Sequence, residues 1–217
     1  MASKLNPAKM GEAADSARRH APATARNRDF ILEVLEAHLP SSGMVLEVAS
    51  GTGEHTSYFA TKFKGLTWQP TDLSDDNLIT IEAWRAHVAA ENILPARKLD
   101  VTEADWDLAH LSAPLSAILA INLIHISPWA VAEALIAGAG DRLTSGGVLY
   151  LYGPYKRDGA HTSDSNASFD MTLKSRDPSW GIRDMEAVIS LAMAAGFGAP
   201  EIVPMPANNF SLVFRKL

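Results

Sequence analysis

The sequence predicts an α/β fold, a doubly wound and mostly parallel sheet of seven strands that ends in an antiparallel hairpin. Three observations predict it. Short apolar runs alternate with longer amphipathic segments along most of the chain; the run at 44–49 passes directly into a glycine-bearing turn and a helix-forming stretch; and the last two apolar runs, 202–203 and 210–214, are separated by a short polar link.

Residues 1–20 are small and polar, with Lys4, Lys9, Arg18 and Arg19 among alanines, and an N-terminal arm or lid is expected over 1–26. From 27 to 39 the residues Phe30, Ile31, Val34, Leu35 and Leu39 recur at helical spacing, and Pro40 to Gly43 end the run. Strand one spans 44–49, and the helix after the glycine turn reaches about 63, where Gly65 breaks it. Strand two is 66–71, followed by a helix over 77–92 with Leu78, Ile81, Trp84 and Val88 on one stripe. A short third strand at 97–100 precedes the continuous apolar run 115–122, which suits a central strand buried on both faces. Ser127 and Pro128 mark a helix start, and Gly146-Gly147 lead into strand five at 148–152. Residues 153–180 are polar and are expected to form a long loop on the substrate side. A helix over 184–195 then leads to the terminal hairpin. No internal repeat or second-domain boundary interrupts this pattern, so 1–217 reads as a single domain.

Composition fits an object of that kind. A chain of 217 residues that is 47% hydrophobic and 20% charged can bury one sizeable core. A net charge of −6 offers no general basic field, so nucleic acid is not an expected partner. The absence of cysteine excludes disulfides, thiolate metal sites and a cysteine nucleophile. Residues 1–11 lack the apolar stretch of a signal peptide, and no run approaches the ~20 apolar residues of a membrane span. A cytoplasmic protein with no membrane partner is the expectation.

The glycine turn carries the chemistry. A strand delivers the chain to the edge of the sheet, glycines let the backbone approach a ligand, and the next helix points unpaired amides at the same place. A dinucleotide fingerprint needs Gly-x-Gly-x-x-Gly, but Thr56 stands where the third glycine would follow Gly51 and Gly53. Glu47, four residues before Gly51, would repel a pyrophosphate and suits a cationic or hydroxyl-rich ligand. Asp72 ends strand two about twenty residues beyond the turn, where a carboxylate accepts hydrogen bonds from ribose hydroxyls.

The segment Glu47-Val48-Ala49-Ser50-Gly51-Thr52-Gly53-Glu54-His55 resembles the first motif of class I S-adenosylmethionine-dependent methyltransferases, acid-x-Gly-x-Gly-x-Gly, with Ala49 in place of the first glycine. Together with Trp68-Gln69-Pro70-Thr71-Asp72, Asn122-Leu123-Ile124-His125-Ile126 and Trp180-Gly181-Ile182-Arg183-Asp184 it is similar to one uncharacterised single-domain methyltransferase-like family, over roughly residues 20–217. The resemblance implies the Rossmann-like class I methyltransferase fold, S-adenosylmethionine as cofactor and S-adenosylhomocysteine as product. It places Glu47 near the amino group of the methionine moiety, Asp100 against the adenine amino group and Asn122 at the edge of the methyl-transfer pocket. His55 contacts the cofactor's polar end or packs locally, and Arg26 and Asn27 reach the cofactor carboxylate or the substrate.

His125 follows the central strand beside the expected methyl group and is either a general base or a residue that lines the pocket or bonds backbone. Tyr152 and Tyr155, at the end of strand five, are candidates to orient substrate. So are Asn166, Phe169 and Asp170 in the long polar segment, and Trp180 and Arg183 in the last motif. No metal is required.

The resulting expectation is methyl transfer to a small-molecule acceptor. The alternatives are a non-catalytic S-adenosylmethionine-binding or scaffold protein and a nicotinamide-dependent oxidoreductase, against which Glu47 and the missing third glycine count. Methylation of nucleic-acid bases is disfavoured because Leu123-Ile124-His125, and no Asn-Pro-Pro-Tyr-like element, follows strand four.

Overall fold

The apolar runs pair into one sheet. A computed structural model describes residues 17–217, and in it the chain runs through α1 (Pro22–His38), β1 (Gly43–Val48), α2 (Glu54–Lys62), β2 (Leu66–Asp72), α3 (Asp75–Val88), β3 (Arg97–Lys98) and β4 (Leu115–Ile121). It continues through α4 (Trp129–Arg142), β5 (Leu143–Pro154), β6 (Lys156–Arg157), β7 (Ala160–His161), α5 (Asp164–Arg176), α6 (Met185–Ala194), β8 (Glu201–Met205) and β9 (Asn209–Arg215). Seven strands form a sheet in the order β3-β2-β1-β4-β5-β9-β8, and β6 and β7 form a separate hairpin. The first five of that order run parallel, while β9 is antiparallel to both β5 and β8. This is the class I methyltransferase arrangement.

The burial pattern explains why the central strands are almost wholly apolar. On one face Ile31 and Leu35 of α1 and Phe59 and Ala60 of α2 pack with Val45, Trp68, Leu119 and Tyr150. On the other, Leu135 and Ile136 of α4 and Met185 and Val188 of α6 pack with Leu46, Ile118, Leu149 and Leu151. Strands covered on both sides have no solvent face to mark with polar residues.

The order also locates the site. Successive strands from β1 go outward through β2 to β3, and the chain then returns to place β4 on the other side of β1. Side chains and turns at the carboxyl ends of β1 and β4 therefore border a crevice where the winding reverses, the usual ligand position in open α/β sheets.

Three segments differ from the sequence reading. Residues 1–16 of the expected arm lie outside the described residues; the rest of it is ordered, and α1 begins at Pro22, where the fixed φ of proline suits a first turn that apolar periodicity does not reveal. The helix after β2 starts two residues before the expected 77, with Asp75 and Asp76 in its first turn. The segment 153–180 holds the β6–β7 hairpin and the 13-residue α5. That helix buries Asn166, Asp170 and Leu173, so two of its three inward positions are polar and no apolar stripe announces it.

Candidate functional site

The backbone from Ala49 to Gly53 makes the bend at the end of β1. Ala49, Gly51 and Gly53 all have positive φ, of 55°, 60° and 85°. The two glycines differ in what they face. A Cβ on Gly51 would meet nothing within 4 Å, so the turn is open there to an approaching ligand. A Cβ on Gly53 would lie 2.8 Å from Cα of Ile81, so its bare α-carbon lets α3 pack against the start of α2.

Two carboxylates hold this bend. Asp72 accepts the Gly51 N–H on Oδ2 at 2.9 Å and the Ser74 N–H on Oδ1 at 2.9 Å. A carboxylate has about four lone-pair sites, so two remain for further donors. Glu47 is buried beneath the turn and accepts the Thr56 hydroxyl, which ties the end of β1 to the first turn of α2. Burial pushes its carboxyl up to about 7, against the lowering effect of the Thr56 and Ser50 hydroxyls. Glu47 thus supports the turn from inside and is not presented to a ligand. Asp100 accepts both the N–H and the hydroxyl of Thr102 on Oδ1, at 2.9 and 2.6 Å, and these bonds hold it below the usual carboxylate range.

His55 and Asn27 connect the turn to a cleft. The Nε2–H of His55 points to Asn27 Oδ1 at 2.9 Å, and the imidazole stacks on Phe59, so His55 packs locally. Burial, followed by the charge of Arg28, depresses its pKa to about 3 and keeps the ring neutral. Asn27 itself lines a cleft of about 740 Å³ at the carboxyl ends of β4 and β5. The cleft brings together Arg26, Asn27, Asn122, Tyr152, Asn166 and Phe169, six of the residues singled out in the sequence. Asn122 reaches it from a left-handed backbone conformation, with φ 63°, directly after β4.

Five other candidates, His125, Tyr155, Asp170, Trp180 and Arg183, are not among the lining, and for His125 and Tyr155 the reason is set by the pleat of β5. Tyr150 and Tyr152 belong to one face of the sheet, whereas Leu149, Leu151 and Tyr155 pack with the opposite core. Gly153 shares that opposite face, and a Cβ there would meet His125 Nε2 at 2.4 Å. His125 is accordingly fully buried behind the strand that carries Tyr152 into the cleft, with its ring edge-on to Tyr155 at 4.9 Å. Its Nδ1 accepts the Arg183 N–H at 3.3 Å, and burial, then the Arg183 charge, lowers its pKa to about 3. The ring is therefore buried and is not among the residues that line the cleft.

Tyr155 is fully buried on the same face. Arg183 clamps backbone, donating to the carbonyls of Ile124 at 2.9 Å, Ser127 at 2.6 Å and Ser179 at 2.8 Å. Trp180 is half-buried and is absent from the cleft lining, its N–H bonded to the Asp177 carbonyl at 3.0 Å. The motif that contains both is a brace for the turn after β4.

Several residues of the site were not selected from the sequence. Ser165, Pro206, Ala207 and Asn209 join the cleft lining from α5 and from the β8–β9 connection. Ser163 caps α5 by accepting the Asn166 N–H at 3.2 Å, and a serine three residues before an asparagine was the available signal. Asp158-Gly159, both with positive φ, form the two-residue turn between β6 and β7, a signature also present in the sequence. Asp170 then fastens α5 in place, accepting from Lys174 at 2.6 Å and from the Ile182 N–H at 2.7 Å, with His161 at 3.3 Å. It is not among the residues that line the cleft and acts as an anchor. Glu54 accepts the Ala21 N–H at 2.5 Å and pairs with His20 at 3.0 Å, drawing the residues before α1 across the start of α2.

Comparison with solved structures finds the same architecture. An O-methyltransferase family 2 protein from Planctomyces limnophilus, crystallised with apigenin, matches with a TM-score of 0.77 at 17% identity, over 99% of this chain and 63% of that one. A putative O-methyltransferase from Nostoc punctiforme matches with a TM-score of 0.76 at 17% identity, over 94% and 59%. CalO1, a methyltransferase of calicheamicin biosynthesis in its S-adenosylhomocysteine-bound form, matches with a TM-score of 0.68 at 14% identity, over 90% and 54%. The likeness is one of fold, and the chain spans under two thirds of the length of each of these proteins. Residues 18–216 match the model of a family described as "Protein of unknown function (DUF938)".

Proposed function

The chain belongs to the DUF938 family, and from its fold and the geometry of the glycine turn and cleft we propose that it is an S-adenosylmethionine-dependent methyltransferase acting on a small molecule in the cleft beside Asn27. The observation that carries this reading is the open face of Gly51, clamped by Asp72 at the reversal of the sheet and joined through His55 and Asn27 to a cleft of about 740 Å³.

The donor set suits that cofactor. Asp72 retains lone pairs for a ribose diol, the Oδ2 atom of Asp100 is available to an amino group, and the turn at Gly51 admits close approach. Glu47 acts indirectly, by fixing the first turn of α2 through Thr56. S-adenosylmethionine, when bound, supplies a methyl group on a sulfonium that departs as a neutral thioether. The chain's own contribution is alignment of the acceptor and exclusion of water. Among the described residues that line the cleft there is no carboxylate and no imidazole, so none of them is assigned as a general base.

Thermal shift with S-adenosylmethionine, S-adenosylhomocysteine and NAD tests the cofactor. A ligand at ~100 times its Kd stabilises by about 2.7 kcal/mol. Stabilisation by the two sulfur nucleosides supports the proposal; a response to NAD alone overturns it in favour of an oxidoreductase. Labelled-methyl transfer to a panel of small hydroxyl, amine, thiol and carboxylate compounds separates an enzyme from a binding or scaffold protein.

A further inference from the structure

The charge distribution in the cleft specifies what it receives. Among the described residues lining it, Arg26 is the one charged side chain, with no Asp, Glu, Lys or His beside it. Arg26 is exposed on the second turn of α1, and no described residue forms a hydrogen bond or ion pair with its guanidinium. Its charge is felt instead by the hydroxyl of Tyr152, itself turned into the cleft.

Around this cation the lining is of two kinds. Asn166, Asn209 and Ser165 are neutral, the amide N–H groups of both asparagines being donated within the chain, while Phe169, Ile126 and Pro206 offer apolar surface. A guanidinium is matched in shape by a carboxylate, which it binds through two parallel hydrogen bonds. A cleft with one such fork, otherwise neutral polar groups and apolar walls fits a ring-sized body that carries a single anionic group.

Arg26 shares the cleft with Asn27 and Asn122, whereas the turn residues Glu47, Gly51, Gly53 and Asp72 are not among its lining. We infer that the molecule bound in this cleft is a small organic carboxylate with an apolar body, and that Arg26 is the residue that selects it. The description of that molecule as a methyl acceptor rests on the function proposed above; its recognition by Arg26 does not.

The test measures binding at constant ionic strength to protein saturated with S-adenosylhomocysteine. The probes are benzoate, its neutral isostere benzamide, and phenyl phosphate, against the natural sequence and Arg26→Gln. Arg26 has no structural partner among the described residues, so the variant is expected to keep the natural Tm, which is measured alongside. The expected result is benzoate bound about tenfold or more tightly than benzamide, a preference abolished in Arg26→Gln, with S-adenosylhomocysteine affinity changed less than twofold.

Equal binding of benzoate and benzamide, no saturation by benzoate, or a preference that survives in Arg26→Gln overturns the inference. Phenyl phosphate bound more tightly than benzoate overturns the carboxylate assignment in favour of a phosphate. A tenfold loss of S-adenosylhomocysteine affinity in Arg26→Gln, without a benzoate preference in the natural sequence, reassigns Arg26 to the cofactor. If S-adenosylhomocysteine fails to bind the natural sequence, the methyltransferase proposal falls, and the same titrations on the ligand-free protein still decide the role of Arg26.

Discussion

Oδ2 of Asp72 accepts the amide of Gly51 at 2.9 Å, so the tip of β2 holds closed the turn that ends β1. One side chain thereby shapes the loop where the winding of the sheet reverses. Asp72→Asn keeps an oxygen for Gly51 but loses the charge and one acceptor, whereas Asp72→Ala removes both. S-adenosylhomocysteine affinity is expected to fall about tenfold in the asparagine variant and further in the alanine variant, read by calorimetry. Equal affinity in all three proteins would show that Asp72 serves the turn alone.

Ala49 adopts φ 55°, a left-handed conformation that costs a residue with a Cβ about 1–2 kcal/mol. Glycine at this position is expected to raise stability by about 1 kcal/mol, a rise of roughly 2–4 °C in Tm for a domain of this size. Ala49→Val is expected to lower Tm. A lower Tm for Ala49→Gly would contradict the assigned turn geometry.

Glu47 gives a pH dependence with a definite sign. Its native carboxyl is raised to about 7, so between about pH 4.5 and 7 the folded protein holds a proton that the unfolded chain has released. Stability from this group is therefore highest below about pH 4.5 and declines as pH rises to about 7, by on the order of 3 kcal/mol. Glu47→Gln keeps an oxygen for Thr56 and is expected to abolish that decline, leaving a variant more stable than the natural sequence at pH 8. Denaturant melts at several pH values read this out, and an unchanged slope would remove Glu47 as its source.

His125 titrates in the opposite sense. Its native pKa of about 3 lies below the ordinary 6.5, so the unfolded chain binds the extra proton and stability is lost as pH falls from about 6.5 toward 3. His125→Gln preserves an acceptor for the Arg183 N–H and is expected to weaken this acid sensitivity. The shape of the pH profile of kcat/KM is expected to stay unaltered, because the imidazole sits behind β5. Loss of a limb near pH 6.5 in that profile would restore His125 as a catalytic base.

Asp170 anchors α5 under the cleft. Asp170→Asn is expected to lower Tm and to weaken benzoate binding while S-adenosylhomocysteine affinity holds, since Ser165, Asn166 and Phe169 ride on the helix it fastens. Parallel losses for both ligands would show that the anchor supports the whole protein and not the cleft in particular.

How much of this was legible in the sequence depended on what each segment buries. The strands that carry Val45, Leu119 and Tyr150 are covered by helices on one face and the other, so their apolar runs were plain and the sheet was readable. The glycine turn was readable because Gly51 and Gly53 need conformations that few other residues accept. Helix α5 was not, because Asn166 and Asp170 occupy its inward positions and hydrogen bonds replace apolar contacts there. His125 is absent from the cleft lining for a different reason. Sequence position put it next to the end of β4, but the face of the sheet to which it turns is set by its packing on Gly153 and Tyr155, thirty residues further on.

A crystal structure of the protein with S-adenosylhomocysteine tests the central claim most directly. The expected result is the ribose against Asp72 and the ligand lying over Gly51, with its sulfur directed toward Asn122 and the mouth of the cleft. A ligand bound elsewhere, or a Gly51 turn that stays empty at saturating concentration, would contradict the account.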